Sequence, residues 1–147
     1  MKNEITLILV VFSMSYTQAQ DVFTSKVPSV ILNNFNLKYP KAKDVEWEKK
    51  GTNYQVEFEL GWNKDHEIWY TPTGKIVKHK EDISKNKLPD KVQNVIKTNF
   101  KNYRVHDVER TSSHSYVVYK LDLNSLLNTD WDLVLDESGK ILSKTRD

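Results

Sequence analysis

Two kinds of hydrophobic spacing follow one another along this chain, and the pair occurs twice. Pro28, Ile31, Leu32, Phe35 and Tyr39 recur at helical intervals, and Pro89, Val92, Ile96 and Phe100 repeat most of that stripe. Apolar residues every third or fourth position predict an amphipathic α-helix. A proline suits the first helical position, where its missing N–H has no intrahelical partner. Pro40 disfavours helical geometry at Tyr39 and ends the first helix there. Strict alternation comes next. Val45 and Trp47 alternate with Asp44, Glu46 and Glu48. Tyr54, Val56, Phe58 and Leu60 alternate with Gln55, Glu57 and Glu59, and Ile68 and Tyr70 with Glu67 and Trp69. A period of two predicts half-buried strands with one packed face and one wet face.

The second copy predicts strands over Val105–Arg110, Ser115–Leu123, Asp130–Asp136 and Lys140–Lys144, with Leu121–Asn128 lengthening its middle hairpin. Lys50-Gly51-Thr52, Gly61-Trp62-Asn63-Lys64 and Thr71-Pro72-Thr73-Gly74 read as turns. Such connections are too short for parallel crossovers, so the strands form an antiparallel meander. Both copies close on the same tripeptide, Gly74-Lys75-Ile76 and Gly139-Lys140-Ile141. The expected fold class is therefore α+β: a helix plus a four-stranded antiparallel meander, αββββ, in tandem over about 27–80 and 88–145. Asp82 to Lys87 connects the copies, and together they make a single domain over 20–147.

Met1–Ala19 reads as a secretory signal peptide, with Lys2 near the start, an apolar stretch over Ile5–Met14, and Thr17 and Ala19 suited to the −3 and −1 cleavage positions. The stretch is too short to span a bilayer, which takes about 20 apolar residues. A periplasmic or secreted product is expected, with no membrane insertion once the leader is removed. The sequence contains no cysteine, which excludes disulfides, thiol catalysis and thiolate metal sites. Its net charge is +2, with both signs interleaved, as in Lys41-Ala42-Lys43-Asp44. A nucleic-acid binder concentrates its basic residues on one face, so a solvated surface is the expectation and no nucleic-acid partner is assigned.

Several motifs together carry a family resemblance. They are the helix starts Val27-Pro28 and Leu88-Pro89, the run Tyr39-Pro40-x-Ala42-x-x-Val45-x-Trp47-Glu48, and the recurrent Gly-Lys-Ile. Over Val27 to Leu142 the chain resembles the PepSY-like family, exported bacterial proteins whose folds resemble β-lactamase-inhibitor protein. The resemblance implies tandem units, each a helix against an antiparallel sheet, merging into one longer sheet. It also implies protein binding, since PepSY-type modules are linked with peptidase propeptides and with restraint of peptidases. It brings no catalytic signature to transfer.

Residue by residue, the chemistry is sparse. Trp47 shares parity with Val45 and corresponds to Val108, so it is assigned to the core. Trp69 has the opposite parity to Ile68 and Tyr70, on the side of Glu57 and Glu59. Tyr119 is read as opposing Tyr116 and Val118, and Trp62 sits at a hairpin tip. Aromatic rings on an open face supply contact area with few rotamers. Trp69, Tyr119, Trp62, Glu57 and Glu59 are accordingly the candidate partner-binding residues. His66-Glu67 lacks the second histidine of a zinc-protease helix, since position 70 is Tyr, and His79, His106 and His114 fall in separate segments. No metal site is assigned. Ser112-Ser113-His114-Ser115 has no nucleophile-elbow context, and neither catalytic residues nor a cofactor are expected. The leading function is a noncatalytic exported module that binds an envelope protein or peptide. The alternative is a small-ligand or metal-sensing protein that uses the groove between the repeats. A hydrolase ranks third.

Overall fold

Each helix begins directly after its proline. A computed structural model describes residues 20–62 and 64–146, so the leader assigned to 1–19 lies outside the described residues. Helix α1 spans Ser29–Lys38 and α2 spans Asp90–Asn99. Pro28 and Pro89 stand one position earlier than expected, as the capping residues with extended ψ, and not inside the helices. Their carbonyls accept the first helical bonds, from Leu32 at 3.2 Å and Gln93 at 3.0 Å. At the other end the Tyr39 N–H donates to Phe35 O at 2.8 Å, and Pro40 allows no further turn. The Phe100 N–H donates to Ile96 O at 2.9 Å in the equivalent place.

The strands are β1 (Gln20–Asp21), β2 (Lys43–Lys50), β3 (Asn53–Glu59), β4 (Asp65–Tyr70), β5 (Ile76–Asp82), β6 (Arg104–Ser113), β7 (Val117–Asn124), β8 (Trp131–Asp136) and β9 (Ile141–Arg146). They form one antiparallel sheet whose spatial order follows the sequence, β1 to β9. From Ser29 onward the order is α1, four strands, a 3-10 turn at Lys85–Lys87, α2 and four strands, and the two-residue β1 adds an edge against β2. The two strand sets join through β5 and β6, which pair from Lys78↔Ser113 to Asp82↔Glu109.

Directly paired residues point to the same side of a sheet, so the register fixes the layers. One line of partners runs Phe58↔His66↔Glu81↔Arg110↔Tyr119↔Leu135 across six strands. Phe58 belongs to the core under α1, and Tyr119 and Leu135 to the core under α2. Both helices therefore cover one face, and no described helix covers the other. The core under α1 is aromatic: Phe35 meets Trp47 edge-on at 5.4 Å, Phe58 edge-on at 5.0 Å, and Tyr39 at 5.6 Å. The core under α2 is mainly aliphatic, with Val92, Leu121, Leu123, Leu133 and Leu135 fully buried and Phe100 and Tyr119 as its buried aromatic rings.

Trp47 and Val108 are both buried, as parity required. Val45 is not, because the pairing shifts between Lys43 and Glu46, where Asp44 takes φ 50°. That bulge breaks the alternation and leaves Val45 38% exposed. A second kind of bulge occurs at the same place in both closing hairpins. Tyr70 pairs with Ile76 while Trp69 pairs with Lys78, and Leu135 pairs with Ile141 while Val134 pairs with Ser143. Val77 and Leu142 are the extra residues, each directly after a Gly-Lys-Ile.

The Gly-Lys-Ile turns also explain their glycines. Gly74 has φ +82° and faces the α1 side chains of Asn34 and Val30, while Gly139 has φ +84° and lies against the α2 backbone at Lys91. A left-handed turn and a close helix together call for a residue without Cβ.

Candidate functional site

The helix-free face gathers most of the acids that look interleaved in the sequence. Because successive strand residues alternate sides, one rung across the sheet reads Glu46↔Glu57↔Glu67↔Lys80↔Thr111, and a neighbouring rung pairs Glu59↔Asp65. Like charges directly opposite each other are destabilising. Glu67 is partly neutralised by Lys80, whose Nζ lies 3.1 Å from Glu67 and 2.8 Å from Glu109. Burial works to lower the Lys80 ammonium, but the hydrogen bonds to Glu109 and Glu67 outweigh it and raise its pKa. Glu46, Glu57, Glu59 and Asp65 form no ion pair within 4.0 Å among the described residues. Glu57 accepts a 2.7 Å hydrogen bond from Gln55. Desolvation, followed by the charges of Glu67 and Glu48, raises its carboxyl above the ordinary value of 4.5.

The sign of that shift sets an expectation. The native state binds the Glu57 proton more readily than the unfolded chain does, so the ionised group detracts from stability at neutral pH. Glu57→Gln is expected to stabilise the protein by about 0.5 kcal/mol at pH 7, within the range of one like-charge cross-strand contact. The gain should shrink as pH falls through the folded pKa. Urea unfolding of both proteins at neutral and acid pH measures it.

Trp69 stands on the same face, on the rung Glu48↔Gln55↔Trp69↔Lys78. It is half-buried, and the Lys78 ammonium lies 3.4 Å from its ring centroid. The structure thus brings Trp69, Glu57 and Glu59 onto one surface. Trp62 is 94% exposed at the β3–β4 tip, beyond the far end of that hairpin from Trp69. Tyr119 must be corrected: it is buried on the helix side, 4% exposed, within the core under α2. Its strand places Tyr119, Leu121 and Leu123 inward and Lys120 and Asp122 outward. The strict alternation Tyr119-Lys120-Leu121-Asp122-Leu123 already points Tyr119 inward, but the apolar run Tyr116–Tyr119 just before it obscures the parity.

The sequence reading passed over a second constellation. On the helix side, between the two hydrophobic cores, β4 and β5 bring His66 Nδ1 to 3.1 Å from His79 Nε2. Glu81 Oε2 lies 3.9 Å from His66 Nδ1, and Glu81 Oε1 accepts a 2.8 Å bond from Arg110 Nη1. The His66 ring lies 5.0 Å from Phe58 at an interplanar angle of 15°, and Tyr39 lies 6.4 Å from His66 and 6.3 Å from His79. Burial lowers His66, against the opposing pull of Glu81. Burial likewise lowers His79, to about 4, again against Glu81. Both imidazoles are neutral at pH 7. The available signal was the short turn between β4 and β5. It makes those strands a hairpin, and hairpin register sets Ile68 opposite His79 and His66 opposite Glu81.

Known proteins share this helix-backed antiparallel sheet. The family model described as "Putative beta-lactamase-inhibitor-like, PepSY-like" matches residues 13–78 and again 62–143. The chain belongs to this PepSY-like family. A BLIP-like protein of Bacteroides fragilis shares the fold at a TM-score of 0.58 and 20% identity, covering 80% of this chain and 84% of its own. A DUF2874 family protein of Bacteroides uniformis matches at a TM-score of 0.61 and 18% identity, over 81% and 88%. A "putative periplasmic" protein of Bacteroides eggerthii matches at 0.63 and 17%, over 82% and 88%. No curated protein matches the chain. No helix among the described residues is long and apolar enough to cross a membrane.

Proposed function

We propose that this chain is an exported, noncatalytic binding module that holds a basic segment of an envelope protein or peptide on its helix-free sheet face. The observation that carries this reading is the Glu46–Glu57–Glu67 rung, three carboxylates in register on adjacent strands. Such a rung costs folding stability, and locally unfavourable arrangements are expected at functional sites. A lysine- or arginine-rich partner removes the cost by complementing the charge. Trp69 supplies a flat anchor beside the rung, and the Lys78 ammonium over its ring is the contact a partner's cation would imitate. Glu59 extends the acidic surface, and Trp62 offers a second contact at the hairpin tip.

The family's β-lactamase-inhibitor-like description supports a role in contact over chemistry. Export is supported by the Met1–Ala19 leader pattern and by the Bacteroides eggerthii neighbour. Descent of the two halves from one unit is supported by the double family match and by the paired bulges at Val77 and Leu142.

Fluorescence anisotropy with a labelled arginine-rich peptide and a glutamate-rich counterpart tests the reading. The basic peptide is expected to bind and to weaken steeply as salt rises from about 0.05 M to about 0.5 M. Glu57→Lys and Trp69→Ala should each weaken it about ten-fold, or about 1.4 kcal/mol, with melting temperatures near wild type. Equal binding of both peptides, or unchanged affinity in both variants, would refute the proposal.

A further inference from the structure

We propose that His66, His79 and Glu81 form a site for a divalent transition-metal cation of the zinc type, held by two imidazoles and one carboxylate with a fourth position for water. The site lies on the helix side of the sheet and draws on no residue of the open acidic face. Its potential ligand atoms all lie within 4.8 Å of one another. Zinc–imidazole bonds of about 2.0–2.1 Å at a tetrahedral angle set the two nitrogens about 3.3–3.4 Å apart. His66 Nδ1 and His79 Nε2 stand 3.1 Å apart, so a slight opening of the pair admits the ion. The hydrogen bond between the rings gives way as the donor ring moves its proton to its other nitrogen, and both nitrogens then present lone pairs.

The surroundings orient the donors. Arg110 occupies Glu81 Oε1 and leaves Oε2 on the side of His66. Phe58 and Tyr39 flank the imidazoles. Adjacent strands supply all three ligands, and rigid elements hold a coordination geometry better than loops do. The two imidazoles satisfy each other through one hydrogen bond, and a cation would instead take a lone pair from each ring and from Glu81 Oε2. Two neutral imidazoles with a carboxylate favour zinc, copper or nickel over magnesium or calcium.

Calorimetric titration of the purified chain with zinc chloride, with magnesium chloride as control, tests the site. One zinc per chain with no magnesium uptake is expected. His79→Gln and Glu81→Gln should each weaken zinc at least ten-fold, whereas His106→Gln, which alters the exposed His106–Asp107 pair, should leave it unchanged. Circular dichroism of each variant checks folding, and the visible absorption of the cobalt-loaded wild type reports tetrahedral coordination independently of stability. Absence of zinc binding at micromolar concentrations overturns the proposal. Binding that survives His79→Gln, or that is lost in His106→Gln alone, overturns it equally.

Discussion

Phe35→Ala is expected to destabilise the protein by about 3–5 kcal/mol, the cost of removing a buried aromatic ring together with the cavity it leaves. Phe35 is the hub of the core under α1. Its ring touches Trp47, Phe58 and Tyr39, and it is 3% exposed. None of those neighbours collapses easily into the space, because Trp47 and Phe58 are fixed by β2 and β3 and Tyr39 by the helix end. Phe58 also stacks on His66, so the loss should reach the histidine pair. The equivalent position in α2 is Ile96, which is only half-buried against a mainly aliphatic core. Ile96→Ala should therefore cost less than Phe35→Ala. Urea unfolding of the two variants measures the order, and an equal loss would show that the two cores do not differ as described.

Gly139→Ala is the second large effect, at about 2–4 kcal/mol. About 1–2 kcal/mol comes from placing an L-residue in left-handed geometry, and the rest from overpacking. A Cβ at Gly139 would meet Lys91 O at 3.0 Å and Val95 Cγ2 at 3.1 Å, and the first of these is helix backbone that cannot swing aside. Gly74→Ala provides the contrast. Its new Cβ would meet the Asn34 amide nitrogen at 2.8 Å, the far end of a side chain that can turn away. That turn breaks the 3.2 Å bond from Asn34 Nδ2 to Gly74 O. Gly74→Ala should thus cost about 1–2 kcal/mol, mostly the left-handed strain. Parallel denaturant titrations decide whether the difference follows the helix backbone contact.

The two glycines show how much was legible. Their recurrence in Gly-Lys-Ile marked the closing turns correctly from sequence, because a turn needing positive φ selects glycine locally. What each glycine touches was not readable, since Val30, Asn34, Lys91 and Val95 lie on helices far away in sequence. Trp47 was assignable to the core by parity alone, but its neighbour Val45 was not, because a bulge is an irregularity of pairing between two strands. Tyr119 was legible as an inward residue from its alternation with Lys120, Leu121, Asp122 and Leu123, and only the apolar run before it suggested the opposite face. Among the acids, Glu57 and Glu59 were readable as sharing a face. Their alignment with Glu46, Glu67 and Asp65 depended on the register of three strands. The histidine pair was visible only as two isolated residues until β4 and β5 were set in register.

By itself the sequence determined the two proline-led helices, the alternating strands, the turn positions and the antiparallel meander, all of which follow from residue spacing and local backbone preference. Tertiary structure decided that β5 and β6 join the halves into one sheet, that the two helices share a face, and that the acids collect opposite them. It also decided that His66, His79, Glu81 and Arg110 meet in the seam. The physical reason is that periodicity specifies which residues of one strand share a side, whereas the partner opposite each residue is chosen by pairing between segments, and a shift of one residue reverses every side chain.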